Sequence, residues 1–313
     1  MCIRDRGAAA RWAALRLAAA LLLTSPGPAA AQDIEPRRWS VLPVGTNILG
    51  VGHAYTSGDI AFDPLLNVEG ATVNVRTWGL SYLHALRAFG RPARIDVQLA
   101  QQHARWKGLL DGSPREVDRR CLDDPSIRLS VNHLGPPAMD AASLRAYHAA
   151  HPVYTVAGAA LAVRLPLGEY QRDKLLNLGQ NRFVIRPQMG VVHRRGPWSF
   201  ELTGSVFFYT DNDAFNRNQT RAQDPLFAGQ THVVYTGDSG WWVSAGAAYA
   251  GGGESSVDGV RKDDARRELL YGVSAGAPLN RRISVKIAYV GRRSEAEIGA
   301  DTDNLAVAGS MRF

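Results

Sequence analysis

The sequence is almost without cysteine: two in 313 residues. Cys2 falls in a stretch that reads as a leader, so Cys121 alone would belong to the exported chain. A disulfide framework is therefore not what this reading expects to stabilise it. Beyond residue 31 there is no long apolar run, and the chain is slightly hydrophilic on average. A bundle of membrane helices is excluded. No run of Lys or Arg forms a patch for nucleic acid. None of these absences excludes crossing a membrane with strands, which are apolar only at every second residue.

The N-terminus has the three parts of a secretory signal peptide. Arg11 and Arg16 supply charge, Leu17 to Leu23 is an apolar run, and Ala29-Ala30-Ala31 offers a cleavage site before Gln32. The apolar run is too short to span a bilayer. The first six residues, MCIRDR, resemble a translated sequencing adapter and are set aside. Residues 1–31 carry Arg4, Arg6, Arg11, Arg16 and Asp5, so removing them lowers the formal charge from +7 to +4. Residues 32–47 read as a periplasmic N-terminal segment, and 48–313 as the folded body.

That body alternates with period two. From Trp198 to Tyr209, the face Trp198, Phe200, Leu202, Gly204, Val206, Phe208 opposes Ser199, Glu201, Thr203, Ser205, Phe207, Tyr209. About twelve segments show the pattern, near residues 48–60, 72–87, 93–107, 124–135, 153–166, 182–193, 198–210, 226–236, 241–250, 266–277, 282–291 and 303–313. The connections alternate between tight turns and long polar stretches, the long ones including 108–123. One connection, 136–152, breaks the rule: it reads as a Pro-Pro turn followed by a small helix over 138–151. Segregated loop lengths and an even strand number predict an all-β transmembrane antiparallel up-and-down barrel of the bacterial outer membrane, with one short periplasmic helix.

Energetics then assigns the faces. An Arg or Lys facing lipid at the midplane costs roughly 2–4 kcal/mol. Arg94, Arg128 and Lys286 sit near strand centres and should face the lumen, together with Asp96 and Glu201. These charges either line a solute path or pair with one another and fill a narrow barrel. Trp78, Trp198, Trp241, Trp242 and Tyr289 lie nearer strand ends, where aromatics meet the membrane interfaces. The terminal Phe313 closes an alternating strand and resembles the insertion signal read by barrel-assembly machinery.

Two serine motifs compete with this reading. Gly237-Asp238-Ser239-Gly240 imitates a serine-protease signature, and Gly272-Val273-Ser274-Ala275-Gly276 fits G-x-S-x-G. A nucleophile elbow needs strand, strained turn and helix, whereas Ser274 lies within an alternating run. Gly237 to Gly240 reads as a hairpin turn. His103, His133 and His193 are scattered, and no Ser/His pair of an outer-membrane phospholipase is seen. His148 and His151 are spaced i, i+3 with no third ligand, so no metal site is expected. Asp211-Asn212-Asp213-Ala214-Phe215-Asn216 lacks the Gly and Glu of a calcium loop.

Five stretches, in order, resemble a bacterial family described as MetA-pathway of phenol degradation proteins. They are LPVGTNILGVGHAYTSGDIAFDPLL (42–66), DPSIRLSVNHLGPPAM (124–139), PLGEYQRDKLLNLGQNRFVIRPQMGV (166–191), TDNDAFNRNQTRAQDPL (210–226) and YAGGGESSVDG (249–259). Cys121 departs from the pattern, which would have a small residue, commonly Gly, before the Asp-Pro. The resemblance implies an outer-membrane barrel that moves hydrophobic or aromatic compounds, with no catalytic residues to carry over. The expected function is thus a channel for passive movement of small compounds, and not an enzyme. The alternatives are a lipid-acting outer-membrane enzyme and a structural or adhesive barrel acting through its external loops. The expected partners are outer-membrane lipids, barrel-assembly machinery and a small-molecule solute, with no nucleic acid and no cofactor.

Overall fold

Strands that are apolar on one side and polar on the other must bury both sides differently, and a closed wall between lipid and lumen does so while pairing every strand twice. The structure, a computed structural model, describes residues 34–62 and 67–313; the signal peptide expected over 1–31 lies outside the described residues. In chain order the elements are β1 (Asn47–Ala61), β2 (Val68–Ala88), β3 (Arg91–Leu110), β4 (Ser113–Leu122), β5 (Ser126–Leu134), α1 (Ala141–Ala150), β6 (Val153–Arg164), β7 (Val184–Arg195), β8 (Trp198–Tyr209), β9 (Asn212–Phe215), β10 (Gln219–Gln223), β11 (Leu226–Thr236), β12 (Trp242–Gly252), β13 (Ser255–Val257), β14 (Val260–Arg261), β15 (Arg266–Pro278), β16 (Ile283–Ser294) and β17 (Gly299–Arg312).

The main sheet closes on itself. β1 pairs antiparallel with β17 on one side and β2 on the other, and β2 pairs with β3 to complete the ring. β4 and β5 both pair with β3, in succession, so they are one wall strand interrupted at residues 123–125. Counted so, the barrel has twelve strands.

The two faces separate cleanly. On β7, Met189 is 74% exposed while its neighbour Gln188 is 2% exposed; on β8, Leu202 is 62% exposed and Glu201 5%. A charged residue costs several kcal/mol on lipid, so the exposed apolar set is the lipid face and the buried polar set is the interior.

The tight connections share one rim. Phe89 (φ 51°) and Gly90 (φ 75°) are both left-handed, as a two-residue hairpin of this twist requires. α1 lies on the same rim, between β5 and β6. It starts at Ala141 rather than 138 because Asp140 is the cap: its carboxylate accepts from the N–H groups of Ala142 (2.7 Å) and Ser143 (3.0 Å). The lead-in to α1 is tied down as well: Val44 N donates to Met139 O (2.9 Å), and Arg87 Nη2 to Ala138 O (3.0 Å).

At the opposite rim the long connections are not plain loops. β9, β10, β13 and β14 form a separate four-stranded sheet. Residues 108–123, expected as a polar loop, continue β3 into β4 through a tight Asp111-Gly112 turn, again with both residues left-handed (φ 51° and 70°). The charged sequence Ser113 to Leu122 forms a strand because it rises beyond the lipid, where both faces are allowed to be polar. β2, β3 and β4 thereby project above their neighbours, over an apolar cluster that includes Val75, Ala104, Trp106, Cys121 and Leu178.

Candidate functional site: the barrel interior

The N-terminal segment does not hang free of the barrel. Residues 34–46 run down inside it, from the chamber at Ile34 to the rim that carries α1. Trp39, 1% exposed, is the anchor. Its Nε1 donates to Thr203 Oγ1 on β8 (2.8 Å), and its carbonyl accepts from Asn132 Nδ2 on β5 (3.2 Å). The Arg128 guanidinium stacks 4.9 Å from its ring centroid. The wall makes room with Gly190 on β7, where a Cβ would stand 2.0 Å from Trp39 Nε1. Ahead of Trp39 in the chain, the Arg37 N–H donates to Glu201 Oε2 (2.8 Å), and Glu35 Oε1 accepts from Lys286 Nζ (2.8 Å). The segment therefore crosses the periplasmic half of the lumen from β5 to β16. Enclosure by the wall raises the Glu35 carboxyl, but Lys286, Arg38 and Arg94 outweigh it and hold it at about 2.

The five charges singled out from the sequence meet here. Asp96 and Arg128 are opposite one another across β3 and β5. Asp96 Oδ2 accepts from Arg94 Nε (3.1 Å) and from Arg128 Nη1 (3.4 Å). Arg128 Nε donates to Gln188 Oε1 (2.9 Å). Arg94, Asp96 and Arg128 thus pair among themselves and border a cleft with Glu35 and Arg38, while Glu201 and Lys286 hold the N-terminal segment.

Above the segment lies a chamber in which the centres of water-sized spheres range over ≈ 130 Å³. Its floor includes Ile34. Its wall carries arginines laid on rings: Arg186 is 4.3 Å from the Phe207 centroid, Arg182 4.5 Å from Tyr209, and Arg221 5.6 Å from Phe215. The external connections roof it. Tyr170, Leu178 and Gln180 come from residues 165–183, and Phe215 and Arg221 from β9 and β10. The connection 165–183 is held down by Asp124, whose carboxylate accepts from Gly168 N (2.9 Å) and Gln180 N (2.7 Å). This chamber was not singled out from the sequence. The signal was present: on the polar face of β8, Glu201, Thr203 and Ser205 give way to Phe207 and Tyr209, while Arg182 and Arg186 recur at even spacing beside them.

The aromatics divide between the two faces. Trp78 is exposed and lies ten residues above Ala88, at the foot of β2. At about 3.3 Å per residue and a tilt of about 40°, that places it roughly 25 Å up, the height of an apolar band. Trp198 and Trp241 are at the other rim, both against Tyr235 (centroids 5.0 and 5.5 Å). Tyr289 is on the outer face of β16, and its hydroxyl donates to Asp303 Oδ1 (2.6 Å). Trp242 is a correction. It shares the inner face with buried Ser244, and Arg37 of the N-terminal segment stands 5.4 Å from its ring centroid. Strand alternation puts only one of two adjacent tryptophans on lipid, and that one is Trp241.

Phe313 is exposed, and its backbone exchanges hydrogen bonds with Asn47 (3.2 and 3.0 Å) at the seam between the two chain ends. Ser274 is in mid-strand on β15, its Oγ 2.8 Å from Ser244 Oγ on β12. Ser239 is in the turn closed by Gly240 N to Gly237 O (2.9 Å). His193 bonds Thr155 (3.0 Å), His103 bonds Asp118 (2.9 Å), and His148 stacks on Tyr154. Among the described residues no three potential metal ligands gather.

A family model described as "Putative MetA-pathway of phenol degradation" matches residues 52–297. The chain belongs to this family. The match begins within β1 and ends just short of β17, so the family's shared sequence is nearly the whole barrel wall. The fold is also that of the COG4313 outer membrane channel from Pseudomonas putida F1. That structure matches with TM-score 0.73 and 23% identity over 90% of this chain and 100% of the other. The transport unit of the autotransporter AIDA-I from Escherichia coli matches with TM-score 0.51 and 8% identity, over 93% and 100% of the two chains. No curated protein matches the chain. This family member is a closed twelve-stranded antiparallel β-barrel with the fold of an outer-membrane channel.

Proposed function

We propose that the barrel is a passive channel for small compounds, aromatic and hydrophobic ones among them. The observation that carries this reading is the interior itself. A chamber with aromatic and cationic walls lies above a segment that is docked by a few side chains rather than built into the wall. A pathway that is closed by a docked segment opens when the segment leaves. The pairing of Arg94, Asp96 and Arg128 shapes the polar wall beside it, and polar walls set what a narrow lumen passes. Trp78, Trp198, Trp241 and Tyr289 would seat the barrel against outer-membrane lipids, and Phe313 would be read by the assembly machinery.

An apolar solute has a second route, sideways through the wall. The irregularity at residues 123–125 favours it, because three residues there face two of β3, Leu99 and Ala100, and Glu169 of the connection 165–183 bonds to Leu122 O (3.1 Å) beside it. Purified protein in planar bilayers and in solute-loaded liposomes tests the proposal. Conductance and efflux of a small neutral aromatic such as benzyl alcohol are expected. Their absence, both in the wild type and in a variant lacking residues 32–40, refutes it.

A further inference from the structure

The chamber's charge is one-sided. Five arginines line it, Arg164, Arg182, Arg186, Arg221 and Arg266, against one carboxylate, Glu268. Glu268 is itself committed, because Arg292 Nη2 donates to its Oε1. Arg221 and Arg164 have distant acids behind them, Asp264 at 3.9 Å and Asp123 at 4.0 Å. Arg182 has none within 4 Å among the described residues. Its Nη2 donates to Gln223 Oε1 and its Nε to Gln180 Oε1 (3.4 Å), both neutral amides. Its Nη1 is buried with no hydrogen-bond partner. A buried guanidinium left with an open donor is costly, and an anion is the group that satisfies it best. Burial, with Arg221 nearby, also holds the Arg182 guanidinium below its usual value.

The rings beside these arginines decide the rest of the ligand. Tyr209, Phe207 and Phe215 offer flat apolar surface next to each cation. A bare inorganic anion would leave that surface wet, and a neutral hydrocarbon would leave Arg182 unsatisfied. We infer that the outer chamber is a binding site for an aromatic carboxylate, its carboxylate on Arg182 and its ring among Phe207, Tyr209 and Phe215. This rests on the channel reading and narrows its solute to organic anions, selected before the N-terminal segment is passed.

The test is calorimetric titration of the full barrel in lipid nanodiscs with three probes: benzoate, benzyl alcohol and acetate. Benzoate should bind at least tenfold more tightly than either of the others. Arg182→Gln should weaken benzoate at least tenfold and benzyl alcohol by far less, and Arg182→Lys should recover part of the loss. Each variant is scored for folding by its shift on an unboiled gel. If Arg182→Gln does not fold, the wild type decides: raising salt from about 50 to 500 mM should weaken benzoate and not benzyl alcohol. Equal affinity for benzoate and benzyl alcohol, no effect of Arg182→Gln, or no effect of salt overturns the inference. Liposome efflux separates this from failure of the channel reading. Efflux of benzyl alcohol without preference for benzoate sinks only the anion site, and efflux of neither sinks both.

Discussion

Replacing Trp39 should unlock the lumen, and its size follows from the contacts. The side chain is almost wholly enclosed, donates one hydrogen bond to Thr203 and carries Arg128 on its face. Truncating a buried Trp to Ala costs about 3–5 kcal/mol, and that figure already contains much of the lost hydrogen bond and stacking. Taking about 4 kcal/mol, the ratio of docked to undocked segment falls by about a thousandfold. The barrel wall is untouched, so the change should appear as conductance and not as unfolding. Single-channel recordings of Trp39→Ala should show more frequent or larger openings, with an unchanged shift between boiled and unboiled gels. Gly190→Ala attacks the same contact from the wall. Its Cβ would collide with Trp39 Nε1 while giving the strand a residue it accepts readily. If both variants conduct like the wild type, the segment does not control the path.

Four further outcomes follow from other contacts. Glu35 has its folded value near 2, below its ordinary 4.5, so its contribution to docking is complete above pH 4.5 and is lost as pH falls through about 2; conductance should be flat from pH 5 to 7 and rise below pH 4, and Glu35→Gln should abolish that step. Asp96→Asn removes the one carboxylate shared by Arg94 and Arg128, and the reversal potential in a salt gradient should move toward the anion's. Asp124→Ala deletes two charge-assisted bonds to the connection 165–183, roughly 3–6 kcal/mol together, and should speed proteolysis there while the rest of the barrel resists. His148 is held below its usual value by burial and by Arg194, so protonation on acidification should loosen α1 from Tyr154, seen as amide exchange over 141–150 that quickens as pH falls below the ordinary histidine value of 6.5.

Much of this was legible because a barrel strand writes its own environment into every second residue. Met189 and Gln188, or Leu202 and Glu201, declare lipid and lumen in one line of sequence. Twelve strands, their short turns and the helix before β6 all follow from that alternation and from Gly, Pro and Asp at the rims. The pairing of Asp96 with Arg128 required the register between β3 and β5, which no local pattern gives. The strand over Ser113 to Leu122 escaped because it leaves the membrane, where alternation is no longer enforced. Its Asp111-Gly112 turn was the remaining clue. Adjacent tryptophans at 241 and 242 could be assigned to opposite faces by parity, but which one faced lipid depended on the neighbour Ser244.

The sequence alone determined the class of molecule, because lipid on one side and polar groups on the other act residue by residue along each strand. Only the tertiary structure decided what the inside does. Trp39 lodges against Gly190, and Arg182 meets Tyr209 with one donor left over. Those are contacts between residues far apart in the chain, made only when the sheet closes and its polar faces are forced together.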